Sequence, residues 1–184
     1  MREFSDNALS PFSCQDVNFN IANPVIFSLR ESDKPAFTRH TLRLSWESRQ
    51  LRFGYPITDE AIIRFCNEFP LDENSFGLLH DGALEGAAIV VQDFKEPSCV
   101  ELALTLAPSF RNKGWGTKLV EAALQQAHRN GKKHMCVDYG YGNLAMEKLC
   151  RKFPGEAIRD GGAYHKVIDV QAWNRVSRDR NSAS

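Results

Sequence analysis

An excess of one charge, paired cysteines and long apolar runs are all missing from this 184-residue chain, and each absence removes a class of function. The 23 lysines and arginines are matched by 23 aspartates and glutamates, so no overall field recruits nucleic acid or an anionic membrane. Five cysteines, Cys14, Cys66, Cys99, Cys136 and Cys150, are odd in number and widely spaced, and none forms a Cys-x-x-Cys pair. That argues against a disulfide framework and against a zinc site. The histidines, His40, His80, His128, His134 and His165, show no metal-ligand spacing and no pairing with a recognisable nucleophile motif, so no metal is expected. Trp46, Trp115 and Trp173 are scattered, without the aromatic and basic interleaving of a nucleic-acid platform. No run approaches the roughly 20 apolar residues that span a bilayer, and the N-terminus lacks the apolar core of a signal peptide. A soluble, cytoplasmic protein, monomer or homodimer, without nucleic-acid or membrane partners is expected.

What is present concentrates between Cys99 and Ala127. Val100, Leu102, Leu104 and Leu106 alternate with Glu101, Ala103 and Thr105 at the period of a pleat, and Pro108 ends the strand. Leu119, Val120, Ala123, Leu124 and Ala127 then recur at helical spacing, with Gly131 as a stop. Between them lies Arg111-Asn112-Lys113-Gly114-Trp115-Gly116. Two glycines let a ligand approach the backbone, the first helical amides are unpaired, and Arg111 and Lys113 add cationic donors, which makes this a candidate phosphate cradle. A tight, solvated strand-to-helix turn would look similar. It is neither the Walker pattern nor the three-glycine dinucleotide fingerprint.

The rest of the chain alternates in type. Residues 1–23 read as an extension and Val25 to Leu29 as a first strand. Ser32 or Asp33 caps a helix that carries Phe37, Leu42 and Leu44 toward Trp46, and a second helix follows Thr58 with Ile62, Phe65, Cys66 and Phe69 at core spacing. Phe76 to Leu79 and Leu84 to Gln92 flank an Asp81-Gly82 turn as a hairpin. His134 to Tyr139 alternates as a strand, Asn143 opens a helix with Met146, Leu149, Cys150 and Phe153, and Ala157 with Ala163 to Val170 supplies a last hairpin. Residues 24–172 thus form one domain, and 173–184 read as a polar tail.

The Arg111 to Gly116 hexapeptide, with Leu104 to Pro108 before it and Thr117 to Val120 after it, resembles the Arg/Gln-x-x-Gly-x-Gly/Ala signature of the GNAT superfamily of N-acetyltransferases. The element order resembles that family over roughly residues 25 to 170. The resemblance implies an α/β (α+β) fold, a mixed and mostly antiparallel sheet of six to seven strands flanked by about four helices. It also implies acetyl-CoA as cofactor and an amine acceptor, either a protein lysine or a small molecule. Leu44 to Phe53, followed by Ile57 to Glu60, is similar to acetyltransferase domains of bacterial protein-lysine acetyltransferases fused to acyl-CoA synthetase-like modules. In that segment Arg49 and Arg52 either brace the acceptor side of the cleft or are solvated helix residues.

By resemblance, backbone groups of Leu104 and Leu106 hold the pantetheine. Arg111, Asn112, Lys113, Gly114, Trp115, Gly116 and Thr117 hold the pyrophosphate, Asn143 lies near the pantetheine arm, and Trp115 packs beneath the loop. The chemistry asks for a base, because a free lysine with pKa near ~10.4 must lose a proton before it attacks a thioester. Glu101 is the candidate, or else an exposed strand glutamate paired with a cation; Asp138 is the second choice. A backbone amide, freed where the strand splays or bulges near Leu104 to Leu106, would hold the oxyanion. The family's usual acid is a tyrosine seven residues beyond the asparagine, a position held here by Cys150. Tyr141, and Tyr139 beside it, are the candidates to replace it.

Overall fold

Period-two segments and their turns build a seven-stranded sheet in the computed structural model, which describes residues 23–182. The N-terminal extension and Cys14 lie outside the described residues. The strands are β1 (Val25–Ser28), β2 (Phe76–His80), β3 (Ala83–Gln92), β4 (Cys99–Leu106), β5 (His134–Gly140), β6 (Gly155–Asp160) and β7 (Ala163–Asp169), in the spatial order β1-β2-β3-β4-β5-β7-β6. Only β4 and β5 pair in parallel. Asp81 and Gly82 both adopt positive φ, as the tight β2–β3 hairpin requires.

Among the described residues six helices flank the sheet, where about four were expected: α1 (Lys34–Leu42), α2 (Trp46–Phe53), α3 (Asp59–Glu68), α4 (Trp115–Arg129), α5 (Leu144–Cys150) and α6 (Val170–Ser182). One added helix comes from the N-terminal region. The segment expected to run on toward Trp46 breaks at Ser45, which is extended and accepts the Ser48 N–H on its side chain, so a separate α2 starts there. Asp33 does not cap α1 through its side chain; its carboxylate accepts the Arg30 N–H at 2.9 Å in a preceding 3-10 turn. The other added helix replaces the expected polar tail. α6 lies against α4, and its Trp173 packs on the core, so tertiary contact supports a stretch that composition alone marks as loose.

Alternation along each strand divides the core in two. Phe76, Leu78, Ala88, Val90, Val100, Leu102, Met135, Val137 and Ile168 face α4, whose Leu119, Val120, Ala123, Leu124 and Ala127 are all buried as the periodicity predicts. Phe27, Leu79, Leu84, Ala87 and Ile89 pack on the other face against Ala36, Phe37, Ile62 and Cys66 of α1 and α3. That second cluster does not extend past Val91 toward β5, β7 and β6. Beyond it, α2 packs against β4.

His40 ties α1 to the sheet. It is 2% exposed, with Nδ1 3.1 Å from the Leu84 carbonyl and Nε2 2.9 Å from the Thr105 hydroxyl. A neutral ring satisfies both contacts if Nδ1–H donates to Leu84 and Thr105 donates to Nε2. Burial, helped by the Arg43 charge, lowers its pKa from 6.5 to about 4. A folded pKa below the unfolded one gives stability that is present above pH 6.5 and lost as pH falls toward 4, on the order of 3 kcal/mol. Urea unfolding should show wild type losing about that much more stability than His40→Gln between pH 7 and pH 4, although the variant starts out weaker; parallel pH profiles would sink this account.

Candidate active site

β4 and β5 pair only at Cys99–His134, Val100–Met135 and Glu101–Cys136. Beyond these, β5 stays with β7 over its whole length while β4 stays with β3 as far as Leu106, and a wedge opens between them. The β3–β4 register runs without a shift, so the expected loosening near Leu104 to Leu106 is a splay and not a bulge; the irregularity in the sheet is at Leu78/Leu79. A cavity of about 490 Å³ fills the wedge, within the usual range for ligand sites. Glu101, Leu104, Leu106, Arg111, Asn112, Gly114, Gly116, Thr117 and Asn143 all line it. Lys113, Trp115 and Tyr141 do not.

The loop geometry explains that division. Gly114 caps α4 in the left-handed conformation at φ 87°, and Asn112 also has positive φ. These turns aim the amides of α4's first turn into the cavity mouth. Lys118 is the first residue whose amide bonds back, to the Gly114 carbonyl, so the amides of Trp115, Gly116 and Thr117 have no backbone partner among the described residues. Cβ atoms built at Gly114 would meet nothing within 4 Å, and one at Gly116 meets only the Leu104 and Leu149 tips at 3.7 Å. Trp115 packs against the core with Lys118 Nζ 4.3 Å from its ring centre.

Arg111 is partly committed. Its Nε donates to the Leu106 carbonyl at 3.0 Å and its guanidinium to the Ser48 hydroxyl of α2 at 2.9 Å. Asn143 has two roles: its Oδ1 accepts the Met146 N–H to cap α5, and the side chain also lines the cavity. Lys148 and Lys152, one turn apart on and after α5, line it as well, and Lys152 donates to Thr117 Oγ1 at 2.9 Å. These two lysines and Ser48 were not foreseen; the four-residue spacing of basic residues after Asn143 is the signal that could have found the lysines.

At the apex of the wedge, Glu101 is exposed and points to the face opposite the Leu102 stripe. Asp138 also lines the cavity, and its carboxylate lies 2.6 Å from His165 Nδ1. Tyr141 is held outside: its ring packs on Tyr164 at 4.9 Å and its hydroxyl accepts from Arg159. Tyr139, two residues earlier and within β5, lines the cavity instead; it is buried and stacked on Tyr164, with burial raising its pKa. Cys150 lies outside the cavity, and burial pushes its pKa up to about 11; Cys136 lines the cavity, with burial pushing it to about 12. Neither thiol is ionised at neutral pH, so neither is poised as a nucleophile.

The profile of the acetyltransferase (GNAT) family matches residues 40–153, more than half of the chain. The chain belongs to this family. As a GNAT N-acetyltransferase it uses acetyl-CoA as its acyl donor. No curated protein matches by sequence. Among solved structures it is similar to the GNAT domain of S. lividans PAT, with 14% identity, 78% of this chain and 89% of that one covered, and a TM-score of 0.67. Diaminobutyrate acetyltransferase EctA from Paenibacillus lautus, in complex with L-2,4-diaminobutyric acid and coenzyme A, shares 13% identity over 80% and 95%, with a TM-score of 0.60. PaiA N-acetyltransferase from Thermoplasma acidophilum, in complex with coenzyme A, gives 17%, 80% and 99%, with 0.58. Among the described residues of this GNAT chain, no helix is long and apolar enough to cross a membrane, and no group of histidines, cysteines and carboxylates could hold a metal ion.

The residues fit the cofactor. Free amides at the start of a fifteen-residue helix suit a pyrophosphate, and Lys148 and Lys152 add charge on the facing side. The β4 edge from Leu102 to Leu106, unpaired toward β5, can pair with an extended amide chain as a strand would. Gly114→Ala places a side chain at positive φ over these amides. Calorimetry should show at least tenfold weaker coenzyme A binding with a stability loss of only about 1–2 kcal/mol. Unchanged affinity would remove the loop from the cofactor site.

Proposed function

We propose that this N-acetyltransferase acts on a primary amine, a protein lysine or a small molecule, by direct attack within a ternary complex. The observation that carries this reading is Glu101 at the point where β4 and β5 part. The side chain is exposed and lines the cavity, so an acceptor can reach it while the donor lies along the other side of the wedge. When bound, acetyl-CoA supplies the activated acetyl group. Glu101 takes the ammonium proton, which frees the nitrogen lone pair for the carbonyl carbon. Amides on the free edge of β4 can donate to the carbonyl oxygen as it gathers charge. The departing sulfur takes a proton, for which Tyr139 is the tyrosine that lines the cavity; Tyr141, the choice from sequence, is occupied elsewhere.

Direct transfer is supported by the protonated state of Cys136 and Cys150, which leaves no thiolate among the described residues to carry an acyl group. A protein-lysine acceptor is supported by the likeness to the GNAT domain of S. lividans PAT and by the Leu44 to Phe53 segment, whose resemblance is to domains fused to acyl-CoA synthetase-like modules.

Released thiol, followed over a panel of small amines and lysine peptides, tests the reading. Glu101→Gln should lower kcat by roughly 10²–10⁴-fold, the range of a lost general base, with coenzyme A affinity preserved. Tyr139→Phe should lower kcat and Tyr141→Phe should leave it within about threefold. Undiminished turnover in Glu101→Gln would remove that residue from the mechanism. Acetyl-CoA binding with no thiol release on any acceptor would make the chain an acyl-CoA sensor instead.

A further inference from the structure

The two arginines of α2 have different fates. Arg49 is fully engaged: its guanidinium donates to the Leu44 carbonyl at 3.1 Å and the Leu42 carbonyl at 2.6 Å, and pairs with Asp59 at 2.6 Å, sewing the end of α1 to the start of α3. Arg52 lines the cavity and has no hydrogen bond or ion pair among the described residues. It is half-buried, its guanidinium carbon 5.1 Å from the Phe53 ring centre and 5.7 Å from that of Phe65, and burial lowers its pKa. A desolvated guanidinium that rests on two aromatic faces still has its planar fork of donors unused, and that fork matches a carboxylate.

Its position sets it apart from the cofactor's anions. Ser48, one turn earlier on the same face of α2, receives Arg111 from the phosphate loop, and Arg52 stands roughly 6 Å further along the helix. The loop glycines, Lys148 and Lys152 reach the cavity from the start of α4 and from α5 and the turn after it, whereas Arg52 reaches it from α2, which packs against β4. Leu44, Leu51 and Val91 also line it, and Val91 pairs directly with Glu101 across the β3–β4 ladder. A cation and a carboxylate therefore share one cavity.

Resting on the N-acetyltransferase reading, we propose that the acceptor is an amine that also bears a carboxylate, with Glu101 receiving the amine and Arg52 the carboxylate. That chemistry belongs to a free amino acid, or to a lysine with an acidic neighbour in a peptide. Purely cationic acceptors such as polyamines and aminoglycosides are disfavoured, because they would set a second positive charge against Arg52 with no anion between them.

The test compares matched acceptors by thiol release at saturating acetyl-CoA: lysine against lysinamide, a Glu-Lys-Glu peptide against Gln-Lys-Gln, and spermidine. The acid member of one pair should exceed its amide by at least tenfold in kcat/KM, chiefly through KM, and the pair that responds identifies the source. Arg52→Gln should erase the preference without changing coenzyme A affinity, while Arg52→Lys, which keeps the charge but loses the fork, should keep only part of it. Equal use of acid and amide, preference for spermidine, or a preference that survives Arg52→Gln would overturn the proposal while leaving N-acetyl transfer intact. If no acceptor turns over, the transferase reading fails and ligand-observed NMR binding of the acid probes decides the remainder. Binding lost in Arg52→Gln supports the carboxylate site, and binding equal in both proteins, or absent from both, refutes it.

Discussion

The candidate site in this chain depends on the parting of two neighbouring strands within the sheet. After three paired residues β5 leaves β4 and follows β7, while β4 continues beside β3. Backbone groups that sheets normally satisfy are thereby left along β4, a situation tolerated where a ligand or solvent replaces the missing strand. The same parting opens the cavity, brings Glu101 to its apex, and turns Tyr139 inward from β5. A sheet with β4 and β5 zipped to their ends would keep every strand and lose the site.

The helices divide the labour around that wedge. α4 contributes unpaired amides because Gly114 takes a left-handed turn that a side chain would strain. α5 contributes Asn143 at its start and a lysine on its face. α2 also lines the cavity and is bound to the glycine loop by the Arg111 to Ser48 hydrogen bond, which ties together segments far apart in sequence. On the second face α1 and α3 pack over β1 to β3 and α2 against β4, with Glu101 exposed beside the cavity.

Much of this was legible in the sequence where the signal is local. Pleat alternation marked β4, the five apolar residues of α4 fell on one face, Asp81-Gly82 made its hairpin, and Gly114 and Gly116 marked the loop. The errors came where a longer-range contact decides. Ser45 breaks one apparent helix into two because its side chain caps the next, and the polar stretch from Trp173 to Ser182 folds as part of α6, with Trp173 packed on the core. Tyr141 was selected by nearness in sequence, yet it lies just past the end of β5, where Arg159 and Tyr164 hold it.

The sequence by itself determined most of the strands and helices, the glycine loop and the kind of chemistry its residues can perform, since each rests on spacing within a few turns or a single strand. The tertiary structure alone decided which side chains meet. It separated Arg49, spent on holding two helices together, from Arg52, presented to the cavity without an anion, although the two stand three residues apart on one helix. No local pattern distinguishes them. Their difference comes from what α1, α3 and β4 bring alongside, and that is fixed only when the two faces of the sheet are packed.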